Sequence, residues 1–210
     1  MLVKICGIQT PEAVAAATDA GADFIGFVFA ESRRKINPVQ ARHISRMLPG
    51  NVKKVGVFVN ESIENMIEIS TFAGLDYIQL HGDEPATVAK QLPLPVIKAF
   101  PADIKNKEKI ENYPCDYYLI DTPAGKYRGG TGKTFDWRKV DHLDINREKL
   151  ILAGGLTPKN VRAAIDLVKP AGVDVSSGVE TEGKKDAEKI REFILEAKGK
   201  GGSYGNLYNA

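Results

Sequence analysis

The chain has 210 residues, 43% hydrophobic and 27% charged, with three histidines, two cysteines and a net charge of +2. That suits one globular domain with a substantial core and is short for two. The balanced charge gives no footprint for nucleic acid or an acidic membrane surface, and no apolar run reaches the ~18–20 residues of a membrane span.

Taken in order, short β-branched or aromatic runs alternate with helical segments. Residues 2–6 read as a first strand, and Pro11 opens a helix over 11–20. A strand at 23–29 precedes a helix at 38–48, with Pro38 at its first turn. A strand at 53–59 leads to Asn60, an expected N-cap for a helix carrying Ile63, Met66, Ile67 and Ser70 at helical spacing. Strands follow at 75–80 and 96–100, with helices after Pro85 and over 103–112. The sixth strand, 116–120, ends at Asp121 and opens a long loop, 122–135, before a short helix near Trp137. A seventh strand, 149–153, runs into Gly154 and Gly155. Thr157 caps the next helix, with Pro158 at its first position. The eighth strand is 173–176, and a last helix covers 186–198.

Eight strands with eight helical connections point to an α/β fold with a parallel sheet, closed as a (β/α)8 TIM barrel. A weak recurrence supports the repeat. Gly21 with Asp23, Gly74 with Asp76, and Gly172 with Asp174 each suggest a glycine ending a helix and an aspartate entering a strand. Residues 1–198 form the expected catalytic domain, and the Gly-rich stretch 199–210 an expected flexible tail. Lys4 and Cys6 already lie in the first strand, so no signal peptide is expected. Cys6 and Cys115 fall beside different strands, which favours a reduced, cytoplasmic chain. The histidines His43, His81 and His142 are scattered and lack metal spacing.

In such a barrel the chemistry lies on the loops after the strands. Cys6 closes the first strand before Gly7. A buried structural thiol is the plainer interpretation, but at the barrel mouth a thiolate can remove a proton or attack carbon. Asp121 closes the sixth strand with no helix directly behind it to cap. A thiol and a carboxyl together supply a base and an acid for proton-shuffling chemistry such as enolisation. Gly154 and Gly155 after the seventh strand, and Ser177 and Gly178 after the eighth, occupy the two loops that commonly hold phosphate, with room for a short extra helical turn over 178–183. Arg34, in a run of Ser32, Arg33 and Lys35, can bind a carboxylate with two parallel hydrogen bonds. His81 ends the fourth strand and either walls the pocket or takes part in proton transfer. Asp174 faces inward if Val173 and Val175 face the helices, holding substrate hydroxyls or pairing with Lys4 or Lys98. Gly132-Lys133-Thr134 looks like the end of a nucleotide-binding loop, but Tyr127 stands where that pattern needs glycine. Residues 127–134 are expected to form either a lid over the site or a plain surface loop instead.

With these residues in place, the chain closely resembles the phosphoribosylanthranilate isomerase family of tryptophan biosynthesis. The matching stretches include Lys4-Ile5-Cys6-Gly7-Ile8, Gln79-Leu80-His81-Gly82, Asp121 with Gly129 to Trp137, Ala153-Gly154-Gly155-Leu156 and Asp174-Val175-Ser176-Ser177-Gly178-Val179-Glu180. The resemblance implies an Amadori rearrangement of N-(5-phosphoribosyl)anthranilate to 1-(o-carboxyphenylamino)-1-deoxyribulose 5-phosphate. It implies Cys6 as general base and Asp121 as general acid. It also implies Arg34 on the anthranilate carboxylate and phosphate on Gly154, Gly155, Ser177 and Gly178. His81 and Asp174 are left as further substrate contacts. It implies no cofactor and no metal, a small-molecule substrate as the only partner, and a monomer or homodimer. The alternatives are another phosphosugar isomerase or a non-catalytic barrel that binds a phospho-ligand. A related indole-3-glycerol-phosphate synthase calls for lysine and glutamate at strand ends, and a bifunctional isomerase for aspartate in place of Cys6.

Overall fold

A computed structural model describes residues 1–104, 107–121, 137, 140 and 143–199. Eight parallel strands close a barrel in sequential order: β1 (Leu2–Cys6), β2 (Phe24–Val28), β3 (Lys53–Phe58), β4 (Tyr77–Leu80), β5 (Val96–Pro101), β6 (Tyr117–Asp121), β7 (Leu150–Ala153) and β8 (Gly172–Val175). The helices described between and after them are α1 (Pro11–Ala20), α2 (Pro38–Ser45), α3 (Ile63–Ala73), α4 (Ala86–Ala89), α5 (Glu108–Glu111), α6 (Val161–Val168) and α7 (Ala187–Ala197). The expected loop at 122–135 and the lid at 127–134 lie outside the described residues. So do all of the tail but Gly199 and, apart from Trp137 and Val140, the helix near Trp137.

Local chemistry explains most boundaries. Thr10 and Asn37 cap α1 and α2 by accepting from Ala13 N and Gln40 N, each with proline in the first turn. The N-cap of α3 is Ser62, not Asn60. Asn60 has a positive φ of 50° and its Oδ1 accepts instead from Asp83 N, which ties two mouth loops together. The helix expected at Pro158 starts at Val161, because Asn160 folds its side chain back to Gly155 O and Thr157 N.

Two of the three Gly–Asp recurrences act as expected. Gly21 and Gly74 end α1 and α3 in the left-handed region, at φ 92° and 68°. Asp23 and Asp76 then accept from Val3 N and Lys54 N at 2.8 Å, and Asp116 does the same for Val96 N at 2.9 Å. Each aspartate stitches the strand it enters to the start of the preceding one. The third recurrence differs: α6 ends at Lys169, Gly172 already lies in β8 against Leu2, and Asp174 sits inside the barrel.

Side chains alternate across each strand. Val3, Ile5, Ile25, Phe27, Ile78, Leu80 and Val173 face the helices in the main buried cluster. Phe24, Val55, Ile97, Leu119 and Ile151 fill the barrel interior. At the amino end Phe24 packs edge-on against Tyr77 and Tyr117, with ring centroids 5.5 and 6.2 Å apart, closing the bottom. At the carboxyl end polar side chains also turn inward, Lys4, Cys6, Gln79, Asp121 and Asp174, beside the apolar Val28, Val57 and Ala153.

Candidate active site

A cavity of about 350 Å³ opens at the carboxyl end of the strands, and Cys6, Asp121, Arg34, His81, Asp174, Gly154, Gly155, Ser177 and Gly178 all line it. Its size is that of a small-ligand site.

Cys6 sits at the inner wall, 7% exposed. Lys4, two residues earlier on the same face of β1, is 1% exposed and pairs with Asp174 Oδ1 at 3.0 Å. A side chain at Gly26 would come within 3.0 Å of Cys6 Sγ and 3.1 Å of Lys4 Nζ, so this glycine of β2 leaves room for both groups. Burial pushes the Cys6 thiol up, and the ammonium groups of Lys4 and Lys185 pull it only part of the way back. The resting cavity thus favours the thiol, with cations poised for its thiolate. Burial opposes the charge on Lys4, but Asp174 and Cys6 outweigh it and hold the ammonium above its usual range. Asp174 therefore faces inward and pairs with Lys4, whereas Lys98 lies elsewhere, on Glu84 at 2.8 Å.

Asp121 lies two strands from β8 and three from β1 around the barrel, on the far side of the mouth from Cys6. Its carboxylate is more open than the thiol, and Oδ2 lies 3.3 Å from His81 Nε2. His81 Nδ1 in turn lies 2.8 Å from the Gln79 amide.

Arg34 reaches the cavity over Gly7, whose φ is 78°; a Cβ there would meet Arg34 Cδ at 2.6 Å. Its Nε and Nη2 donate to Glu180 at 2.6 and 3.0 Å. Glu180 also accepts from Arg33 at 2.7 Å and from Lys185 at 2.8 Å. Burial alone would push this carboxyl up, but Arg34 and Lys185 overcome that and hold it at about 2. Three cations around one carboxylate leave a positive excess at the rim, suited to an anionic substrate. Lys185 also donates to Ser176 O at 2.8 Å, and Ser176 Oγ donates to Cys6 O at 3.2 Å, so the ends of β8 and β1 are latched together. Burial lowers Lys185, and Glu180 restores only part of the shift.

The loops after β7 and β8 touch. Gly154 and Gly155 have φ of 83° and 63°, which favours glycine. A Cβ on Gly178 would lie 1.8 Å from Leu156 O, so only glycine lets the two loops meet. The short helical turn expected after β8 is a 3₁₀ turn at Ser177–Val179; the following residues form a hairpin of β9 (Glu180–Thr181) and β10 (Lys184–Lys185). Gln79, Glu180 and Lys185 were not among the sequence candidates for the site. Gln79 could have been found from its in-register position two residues before His81. Lys185 gives no local signal, because only the hairpin brings it back to β1.

Residues 3–196 match the family model described as N-(5'phosphoribosyl)anthranilate (PRA) isomerase. The chain is similar to the N-(5'-phosphoribosyl)anthranilate isomerase of Listeria monocytogenes serotype 4a, 51% identical over 200 residues, which covers 95% of this chain and 99% of that protein. Among solved structures it is similar to the phosphoribosyl anthranilate isomerase of Thermotoga maritima, with a TM-score of 0.83 and 45% identity over 95% of this chain and 100% of that one. It is likewise similar to a phosphoribosyl anthranilate isomerase in complex with reduced 1-(o-carboxyphenylamino)-1-deoxyribulose 5-phosphate, with a TM-score of 0.80 and 42% identity over 95% and 100% of the two chains.

Proposed function

The chain belongs to the N-(5'-phosphoribosyl)anthranilate isomerase family of tryptophan biosynthesis, and we propose that Cys6 and Asp121 carry out its Amadori rearrangement as general base and general acid. Asp121 gives a proton to the furanose ring oxygen as the C1′–O bond breaks, and the anilino nitrogen lone pair closes the C1′=N iminium. Cys6 takes the C2′ proton; the freed electrons form C1′=C2′ and the iminium electrons return to nitrogen. The resulting enolamine gains a proton at C1′ and loses one from the C2′ hydroxyl, giving the ketone. A reduced form of this product is the ligand of one similar structure.

The observation that carries the assignment is the placement of a buried thiol and an open carboxyl on opposite sides of one cavity. The iminium forms one carbon from the proton to be removed. Its positive charge, with Lys4 and Lys185, favours the thiolate at the step that needs it. Arg34, backed by Glu180, takes the anthranilate carboxylate with its remaining N–H groups. Gly154, Gly155, Ser177 and Gly178 take the phosphate through backbone N–H groups. Asp174 and His81 complete the contacts to the sugar. Among the described residues no helix is long and apolar enough to cross a membrane, and the reading places the enzyme in the cytoplasm.

The test is turnover of freshly generated substrate, followed by loss of its anthranilate fluorescence. Cys6→Ser and Asp121→Asn should each lose roughly 10²–10⁴ in kcat. Activity surviving in Cys6→Ser would move the base elsewhere.

A further inference from the structure

Gln79 is 1% exposed in β4 and shares the cavity with His81 and Asp121. The Gln79 amide meets His81 Nδ1 at 2.8 Å, and His81 Nε2 meets Asp121 Oδ2 at 3.3 Å. The second amide atom of Gln79, as placed Oε1, is buried with no hydrogen-bond partner. The two ends of an amide have the same shape, so this chain of groups can hold its protons in two ways.

If the amide NH2 faces the ring, Nδ1 accepts. The neutral ring then carries its proton on Nε2 and donates it to Asp121. Asp121 accepts at Oδ2 in that arrangement, which favours the carboxylate over the acid that would give a proton. If the carbonyl oxygen faces the ring, Nδ1–H donates to it. Nε2 is then an acceptor, and the His81–Asp121 pair holds one proton more, on Asp121 or drawn across to Nε2. The second arrangement favours the protonated pair that can give a proton to a sugar oxygen.

We propose that Gln79 turns its carbonyl oxygen to His81 Nδ1, and that His81, held in that tautomer, keeps on Asp121 the proton the rearrangement consumes. This rests on the assignment of Asp121 as the acid. Gln79 is a positioning residue that acts through His81. The proton leaves Asp121 for the ring oxygen as C1′–O breaks, and the C2′ hydroxyl returns one when the ketone forms, so the pair ends as it began. Cys6, Arg34, Glu31 and Asp174 share the cavity with His81, and Lys4 backs Asp174 from the barrel interior. The Lys98–Glu84 pair lies behind it, with Lys98 Nζ on Gly82 O at 2.5 Å.

The experiment is 15N NMR of histidine-labelled protein, which reads the tautomer directly. The chain has three histidines, and His81 is identified by the signal missing in His81→Asn. At the pH of full activity His81 should carry its proton on Nδ1. Gln79→Met should release that preference and lower kcat roughly tenfold, with KM within about twofold. Gln79→Glu, whose carboxylate can only accept, should keep the Nδ1 proton and exceed Gln79→Met in kcat. A wild-type ring with Nδ1 bare and Nε2 protonated overturns the proposal whatever Asp121 does. So does Gln79→Met with unchanged kcat and pH profile. An active Asp121→Asn would instead remove the acid assignment, and turnover alone reports it.

Discussion

Lys4→Met removes one half of an ion pair that the barrel interior cannot hydrate. Lys4 and Asp174 are 1% and 8% exposed, with Nζ and Oδ1 3.0 Å apart. The methionine chain fills most of the lysine's path, so the chief change is a buried carboxylate left without its ammonium. Breaking such a pair costs about 3–5 kcal/mol. For a chain of this size that lowers Tm by roughly 6–20 °C. Lys4→Met/Asp174→Asn removes both charges and should recover most of the loss. The pH dependence has a definite sign. The folded chain holds Lys4 above its usual range. The pair's contribution is therefore complete below the ordinary lysine value of about 10.4 and fades as the pH rises through the raised one. Urea unfolding of the three proteins at neutral and strongly alkaline pH measures all of this. A single-variant deficit below about 1 kcal/mol at neutral pH, or a double variant no more stable than the single, would refute the buried-pair account.

Three further outcomes follow from the same site. In a Cys115→Ser background, alkylation of Cys6 by iodoacetamide should still be accelerating with pH beyond the ordinary thiol value of about 8.5, and Lys4→Met should slow it at any given pH; a rate already level at neutral pH would contradict the upward shift caused by burial. Glu180→Gln should raise KM roughly tenfold with a smaller effect on kcat, because Arg34 loses its charge-assisted anchor. Glu180 is held at about 2 against its usual 4.5, so its contribution to stability is present above 4.5 and lost as the pH falls towards 2. Acid unfolding of Glu180→Gln should be less steep across that window, and curves of equal slope would count against it.

The barrel was legible because each strand and most caps are written locally. Pro11 and Pro38, the glycines that end α1 and α3, and the aspartates that enter β2 and β4 act within a few residues of themselves. Asn60 misled for the same reason. Its residue type fits an N-cap, but a partner on another loop, Asp83 N, claimed its side chain and Ser62 took the cap. Gly172 misled because its neighbour Leu2 is 170 positions away in sequence, and only the closing of the barrel brings them together.

The sequence alone determined the order of elements, the family resemblance and the nine positions that the cavity collects. Strand ends and the loops behind them pointed to these positions, since both face the same mouth of a barrel, and the resemblance implied their roles. The sequence left Asp174 between Lys4 and Lys98, and it did not carry which other charges meet. The Lys4–Asp174 pair, the convergence of Arg33, Arg34 and Lys185 on Glu180, and the Gln79–His81–Asp121 chain join residues from different strands and loops. Ionisation depends on distance and burial in three dimensions. Tertiary structure therefore decided the burial of the thiol, the anchoring of the arginine and the neighbours of His81.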